Sequence, residues 1–149
     1  MPLNRREVCS LLPFAVMAGS FASTASASTA DAPLASSFFP FESLAVKQGK
    51  GVQTRSILKG ALATGESVEL HETVLEPGAT PHAPHHHKHS EMWLIREGTV
   101  EITINGKTNQ LGPGSAAFVA SNEEHGIRNP GTKQAMYFVV AVGPFEAGA

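Results

Sequence analysis

Short apolar runs separated by turn residues constrain the fold of this chain most strongly. Each run alternates in hydrophobicity or is continuously apolar, and Gly, Pro or Asn residues follow it. The dipeptide Asn105-Gly106 is a strong signal for a two-residue hairpin turn. About eight or nine short strands at this spacing predict an all-β sandwich or barrel, built as a single domain. The predicted strands are Val52–Leu58, Val68–Leu75, Glu91–Arg96, Thr99–Ile104, Lys107–Leu111, Ala116–Val119, His125–Asn129 and Ala135–Val142.

The first residues have the pattern of an export signal. Arg5 and Arg6 form a charged head, and the apolar stretch Leu11–Ala22 is followed by small residues suited to cleavage. The run N-R-R-E-V-C-S-L-L resembles a twin-arginine signal. We therefore predict that residues 1–27 are an export signal and that the protein is periplasmic or secreted. The alternative is an N-terminal helix of the domain, kinked at Pro13.

Composition bounds the rest of the chain. Residues 28–37 are rich in Ala, Ser and Thr and predict a flexible linker, which leaves residues 38–149 as the folded domain with a core at about 52–142. Charged residues make up 16% and hydrophobic ones 42%, which suits a packed globular domain. A net charge of -2 predicts no nucleic-acid partner. No stretch approaches the roughly 18 apolar residues that a membrane span needs.

A histidine-rich stretch lies between Pro77 and Gly98 and contains five of the seven histidines. Within it, His85, His87 and Glu91 have the spacing H-x-H-x3-E. Residues two apart on an extended chain point to the same face, so these two imidazoles can lie side by side. Two imidazoles and a carboxylate form the mixed donor set that divalent transition metals prefer.

A second motif follows at Gly114–Asn129, and the pair resembles the motifs of the cupin superfamily. Those motifs read G-x5-H-x-H-x(3,4)-E-x6-G and G-x5-P-x-G-x2-H-x3-N. The matched positions here are Gly78 (displaced by one residue), His85, His87, Glu91, Gly98, Gly114, His125 and Asn129. Ala120 and Asn122 replace the usual proline and glycine, and Asn tolerates a positive φ better than most residues.

The resemblance implies a fold, a metal and a ligand set. The implied fold is a double-stranded β-helix, or jelly-roll barrel, that is often a homodimer. The implied metal ligands are His85, His87, Glu91 and His125. Manganese, iron, nickel, copper or zinc would accept these donors, and the choice among them stays open.

An apolar pocket is expected beside the ligands. Trp93 and Ile95 share the strand parity of Glu91, and further apolar residues are predicted to join them in a wall around a small molecule. His86 has the opposite parity and is expected to face outward. For His71, His82 and His89, both an inward and an exposed position are open. The predicted pocket residues are Trp93, Ile95, Val100, Phe118, Ile127 and Phe138.

The predicted function centres on the metal. The only cysteine, Cys9, lies in the export signal, and no serine has a G-x-S-x-G setting, so the domain offers no separate nucleophile. We predict a metal-dependent enzyme for a small molecule, either a dioxygenase-like oxygenase or an isomerase or lyase. The alternatives are a non-catalytic protein that sequesters a metal or small ligand and, less favoured, a structural or storage module.

Overall fold

A computed structural model describes residues 32–145 and shows nine antiparallel strands. The predicted all-β jelly-roll fold is confirmed. A short 3-10 turn at Phe41–Ser43 precedes the first strand, and the described residues form no α-helix. The strands are β1 (Val46–Gly49), β2 (Val52–Ala61), β3 (Ser67–Leu75), β4 (Ser90–Glu97), β5 (Val100–Ile104), β6 (Lys107–Leu111), β7 (Ala116–Val119), β8 (His125–Arg128) and β9 (Ala135–Val142).

The strands form two sheets with the core between them. The larger sheet has the order β1-β2-β3-β9-β4-β7, and the smaller one has the order β6-β5-β8. Apolar residues of both sheets are buried against one another, which is what two facing amphipathic sheets require. The buried core comprises Leu75, Trp93, Ile95, Val100, Ile102, Val119, Ile127, Ala135, Tyr137 and Val139.

Turn residues act where the sequence predicts them. Asn105 and Gly106 both have positive φ (48° and 76°), and Ile104 pairs with Lys107 across this two-residue turn. Asn122, at the position where the second motif usually has glycine, also has a positive φ of 63°. The Asn side chain tolerates this conformation, so its replacement of glycine leaves the turn before β8 in place.

One predicted strand has a different burial from the one expected. The continuous apolar run of β9 suggested burial on both faces. In the structure, burial alternates along the strand, and Tyr137 and Val139 face the core while Phe138 lies on the outer face of the large sheet. The prediction that Phe138 lines the pocket is therefore wrong. An all-apolar strand carries no period that would reveal which parity faces inward.

Phe118 also lies outside the predicted pocket. Its side chain is 60% exposed, while its neighbour Val119 is fully buried in the core. Phe118 pairs with Met92 on the outer face of the large sheet. The run Ala116–Val119 places apolar residues on both faces, so its parity could not be read from hydrophobicity alone.

The sequence did not indicate β1. This edge strand pairs with β2 from Val46 opposite Arg55 to Gly49 opposite Val52. It is short, exposed and partly polar, which is typical of an edge strand and gives a weak sequence signal. Three of its residues, Lys47, Gln48 and Gly49, line the cavity that Glu91 and His125 also line.

The predicted export signal at residues 1–27 lies outside the described residues and stays a prediction. Part of the predicted linker is described, and its Leu34 amide donates to the carbonyl of Ala61 at the end of β2. Between residues 32 and 145 there is no helix long and apolar enough to cross a membrane.

Candidate metal centre

The fold brings the two motifs together through backbone pairing. His85 precedes β4, and His125 begins β8 in the other sheet. Each of these residues donates its backbone N–H to the carbonyl of the other, at 3.0 and 2.9 Å. This isolated antiparallel bridge fixes the backbones of two predicted ligands that are far apart in sequence.

The four predicted ligands form one cluster. The Nε2 atom of His87 lies 3.3 Å from Oε1 of Glu91, and Nε2 of His125 lies 3.8 Å from Oε2 of the same carboxylate. The ring of His85 is 4.7 Å from that of His125 and 5.2 Å from that of His87, measured between centroids. Donor atoms of the three histidines all lie within 4.8 Å of one another.

Hydrogen bonds to backbone carbonyls fix the tautomers of two of these histidines. Nδ1 of His87 donates to the carbonyl of His89, and Nδ1 of His125 donates to that of Glu123, both at 2.8 Å. Because a carbonyl only accepts, Nδ1 of each ring carries a proton, and Nε2 is the nitrogen that can bind a metal. A hydrogen bond from one ring nitrogen to a backbone carbonyl, with the other nitrogen left for the ion, is the usual arrangement for metal-binding imidazoles.

The orphaned nitrogens show that these residues fit a cation. Nε2 of His87 and Nε2 of His125 are buried and have no hydrogen-bond partner among the described residues, yet both lie close to the Glu91 carboxylate. Lone pairs that face a carboxylate are mutually repulsive and costly to bury. A divalent ion would satisfy all three groups, and their N/O character suits manganese, iron, nickel, copper or zinc.

His85 is also in the form that binds a metal. Burial, reinforced by the neighbouring His82, His125 and His87, lowers its pKa to about 4. The imidazole is therefore neutral at pH 7, and its Nδ1 is buried without a partner within the described part of the chain. Neutral imidazole is the ligating form.

The remaining histidines of the stretch differ in position. His89 is half-buried, stacks on His87 and reaches Glu91, so it lies within the cluster. His82 is exposed and meets the ring of His85 edge-on at 4.2 Å. His86 is exposed, as its parity predicts. The sequence carried a signal for His89, because it continues the two-residue spacing from His85 and His87 to Glu91.

A cavity of about 620 Å³ opens beside the cluster. Glu91 and His125 form part of its wall, and Lys47 and Lys50 of the edge-strand region also line it. Of the predicted pocket residues, Trp93 and Ile127 line the cavity, whereas Ile95 and Val100 are buried in the core. Tyr137 and Val139 line the cavity on the strand where Phe138 was expected to do so.

His71 and Glu69 form a polar pair beside the cavity. His71 lines the cavity, and its Nδ1 is 3.4 Å from Oε1 of Glu69, whose Oε2 is 3.1 Å from Nζ of Lys59. Burial lowers the pKa of His71, while the carboxylates of Glu69 and Glu91 oppose this shift. The sequence left the direction of His71 open, because its strand has no clear inner face in hydrophobicity.

A buried phenol completes the polar lining. Tyr137 is 2% exposed, and burial raises the pKa of its hydroxyl well above the usual value, against a smaller opposing effect of its hydrogen bond with Thr73. The hydroxyl therefore stays protonated at neutral pH and is available as a hydrogen-bond donor.

Comparisons with known proteins agree with this architecture. A family profile described as "Cupin domain" matches residues 71–141. L-ectoine synthase of Bordetella parapertussis is 33% identical over 101 residues, covering 66% of this chain and 72% of that enzyme. Mannose-1-phosphate guanylyltransferase ManC of Salmonella typhimurium is 28% identical over 71 residues, and the chain spans only 15% of its length. The chain belongs to the cupin superfamily.

Solved structures show the same fold. KdgF from Halomonas sp. superposes with a TM-score of 0.65 at 18% identity, covering 75% of this chain and 97% of that one. An RmlC-like cupin from Shewanella frigidimarina gives a TM-score of 0.64 at 20% identity, covering 74% and 95%. At these identities the likeness extends to the fold alone.

Proposed function

We propose that this protein is a metal-dependent enzyme that carries out acid–base chemistry, of the isomerase or lyase type, on a small organic anion. The observation that carries the proposal is the shared cavity: the ligand cluster and the Glu69–His71 pair line or adjoin the same space of about 620 Å³. A cavity of this size suits a small metabolite. Similarity over 72% of L-ectoine synthase, a protein named as an enzyme, supports a catalytic role.

Proton transfer is assigned to His71. Its Nδ1 is engaged by Glu69, which leaves Nε2 available to a substrate in the cavity. Its lowered pKa keeps the ring neutral at pH 7, so it can accept a proton as a general base. The carboxylate of Glu69 would then stabilise the imidazolium that forms.

Substrate binding is assigned to the remaining polar groups. Lys47 and Lys50 line the cavity and would attract a carboxylate or phosphate. The protonated hydroxyl of Tyr137 can donate to a substrate oxygen. A divalent ion held by His85, His87, Glu91 and His125 would supply Lewis-acid chemistry at a substrate carbonyl or hydroxyl group.

An oxygenase and a sequestering protein could use the same metal centre, and experiments can distinguish both from an isomerase or lyase. An oxygenase would consume oxygen, whereas proton transfer next to a carbonyl exchanges substrate hydrogen with solvent. A sequestering protein would show neither reaction. The cavity beside the cluster favours an enzyme over sequestration, because a purely sequestering site needs no substrate space.

The metal centre is tested by elemental analysis of the wild-type protein and two ligand variants. His87→Ala and Glu91→Ala should each weaken metal affinity by at least about ten-fold, so that little metal is found in the purified variants. Circular dichroism should show that both variants are folded. His86→Ala is the matched control, because this neighbouring histidine is exposed. Unchanged metal content in either ligand variant would contradict the site.

The reaction type is tested in D₂O. Metal-loaded protein is incubated with 2-oxo acids and with sugar phosphates, while proton NMR follows hydrogen exchange and an electrode follows oxygen. We expect exchange that His71→Gln abolishes while metal content is retained. Oxygen uptake without exchange would instead identify an oxygenase, and fully loaded protein with neither activity would favour sequestration.

We also propose that the protein is a homodimer. Met92, Leu94 and Phe118 are 40%, 45% and 60% exposed and lie together on the outer face of β4 and β7. Phe138 and Val140 extend this apolar face onto β9, because they pair with Leu94 and Met92. A contiguous apolar face of this kind is typical of a surface that a partner protein covers. Most soluble oligomers are homo-oligomers, so we assign a second copy of this chain as the partner.

A further inference from the structure

The N-terminal arm, residues 34–41, precedes β1 and packs against β2. A Cβ added to Gly60 would lie 2.9 Å from Cδ2 of Leu34, so the leucine side chain covers this glycine. At the other end of the arm, the ring of Phe41 lies 4.6 Å from Cζ of Arg55, measured to the ring centroid. The arm therefore runs along β2 from Gly60 to Arg55.

These contacts place the arm on the outer face of the large sheet. Arg55 pairs with Glu72, and Glu72 pairs with Phe138, which lies on that face. Directly opposite residues of neighbouring strands point to the same face. The arm therefore lies on the same side of the sheet as the apolar patch on β4, β7 and β9. The patch consists of Met92, Leu94, Phe118, Phe138 and Val140.

A single chain buries one part of this outer face and leaves the other part accessible. Glu72 and Val74, which are two residues apart on β3 and share a face, are 1% and 6% exposed. Leu94 and Phe118, on β4 and β7, are 45% and 60% exposed. Only β3 separates β2, where the arm lies, from β9, where the patch begins, and two strand spacings amount to about 10 Å. A second copy that covers the patch would therefore also meet the arm.

The arm presents apolar side chains that its own chain does not cover. Phe38 is 98% exposed, and Phe39 and Phe41 are 42% and 44% exposed. The arm has the sequence L-A-S-S-F-F-P-F and contains no charged residue. Exposed aromatic rings beside an apolar patch, without charges between them, are typical of the core of a protein interface.

We propose that the N-terminal arm belongs to the homodimer interface and that Phe38 packs on the apolar patch of the second copy. The inference rests on the homodimer proposed above and names the segment that completes its interface. In a dimer with two-fold symmetry, each copy donates one arm and receives one, so every contact of Phe38 is made twice.

The area that an interface needs supports this role for the arm. A stable interface buries about 800 Å² on each partner. Phe38 alone offers roughly 150 Å², about a fifth of that area, because almost none of its side chain is covered within its own chain. The exposed parts of the Phe39 and Phe41 rings can add to this area.

Photo-crosslinking tests the contact directly. The photoreactive analogue p-benzoylphenylalanine replaces Phe38 in the whole chain, and illumination links it to the nearest C–H groups. We expect a covalent species of twice the mass of one chain, in which position 38 is linked to a peptide of β4, β7 or β9. The same analogue at Thr108, on exposed β6, should give no covalent dimer.

Truncation of Phe38 tests how much it contributes to the dimer. Phe38→Ser should raise the dissociation constant of the dimer by about a hundred-fold, because burial of one phenylalanine strengthens association by roughly ten-fold and both copies lose it. Phe38→Leu keeps an apolar side chain and should raise the constant by about ten-fold or less. Sedimentation equilibrium measures all three proteins. Circular dichroism should show that both variants are folded, because Phe38 packs on little within its own chain.

Each other outcome contradicts a specific statement. A wild-type protein that is monomeric at all concentrations would contradict the homodimer, and the role of the arm with it. An unchanged dissociation constant in Phe38→Ser, or crosslinks confined to one chain, would overturn the role of the arm while leaving the homodimer intact. Equal weakening by serine and leucine would contradict the apolar packing of Phe38 on the second copy.

Discussion

His71 shows how burial and one neighbouring carboxylate together set the protonation of a cavity-lining side chain. Burial lowers its pKa, and the charge of Glu69, itself paired with Lys59, opposes that shift. Because the folded-state pKa lies below the unfolded value of about 6.5, the folded chain binds this proton less tightly. The free energy of unfolding should therefore decrease as the pH falls below about 6.5.

Replacing Glu69 tests this balance directly. Glu69→Gln removes the charge that raises the pKa of His71 and leaves the burial, so that pKa should fall further. Long-range ¹H–¹⁵N NMR of the metal-free protein measures it. Glu66→Gln is the control, because Glu66 lies exposed between β2 and β3 and does not contribute to the shift. An unchanged or raised pKa in Glu69→Gln would contradict the assignment.

The sequence predicted which side chains cluster around Glu91 better than it predicted which residues form the cavity wall. The spacing of His85, His87 and Glu91 follows from two-residue strand periodicity, and the structure brings them together with His125. Phe118 and Phe138 were misplaced because their strands are apolar on both faces. Hydrophobicity then gives no parity, which is decided by the register with neighbouring strands.

At the scale of elements, the turn from β4 to β5 depends on Gly98. Its φ is +71°, and a Cβ there would lie 2.4 Å from the carbonyl oxygen of Gln134 and 2.7 Å from Cα of Ala135. Both obstacles belong to the backbone leading into β9 and cannot rotate away. The close approach explains why this motif position requires glycine. It packs the turn from β4 to β5, where the chain passes from the large sheet to the small one, against the start of β9, which lines the cavity.

Gly98→Ala should therefore be strongly destabilising, by roughly 3 kcal/mol, because it combines backbone strain with a backbone clash. Gly114→Ala is a matched control. Gly114 has a φ of +83°, but a Cβ there would meet no described atom within 4 Å, so only strain remains, at about 1 kcal/mol. Urea unfolding measures both variants, and equal losses would contradict the role assigned to the close approach.

Asn129, the last residue of the second motif, holds three segments together. Its side-chain amide donates to the carbonyls of Leu75 and Lys133 at 2.9 and 2.8 Å, and its Oδ1 accepts from the amide of Gly131. The side chain is fully buried. Motif matching found this residue, and the structure shows that all its side-chain hydrogen bonds go to backbone groups of Leu75, Gly131 and Lys133, which gives it a structural role.

The elements that the sequence missed are those with weak local signals. β1 is short and exposed, yet Lys47 and Lys50 reach the cavity from this region. The long apolar strands and the Asn105-Gly106 hairpin were found because their signals are local and strong. An edge strand such as β1 forms by pairing with its neighbouring strand, and its own residues carry little information about that pairing.

For the whole molecule, the apolar outer face of the large sheet predicts the oligomeric state. A stable dimer interface buries about 800 Å² on each partner, which requires a broad patch such as this one. Multi-angle light scattering of the wild type should give twice the mass of one chain. The double variant Leu94→Glu and Phe118→Glu should be monomeric, because it would bury two carboxylates in an apolar interface.

A control charge on the opposite sheet separates this effect from general repulsion. Thr108→Glu lies on exposed β6 and points to the opposite face from Asn109, which shares a cavity with Phe118, so this variant should remain dimeric. A wild-type protein that is monomeric at all concentrations would contradict the homodimer. So would a double variant that stays dimeric.

The backbone bridge between His85 and His125 separates architecture from chemistry. Both hydrogen bonds of the bridge are made by main-chain atoms, so any residue except proline can form them at these two positions. Donors at these positions can therefore be exchanged one at a time without dismantling the barrel. The domain is therefore suited to engineering. Substituting the side chains at these two backbone positions should change which metal is bound, or abolish metal binding, while the fold is kept.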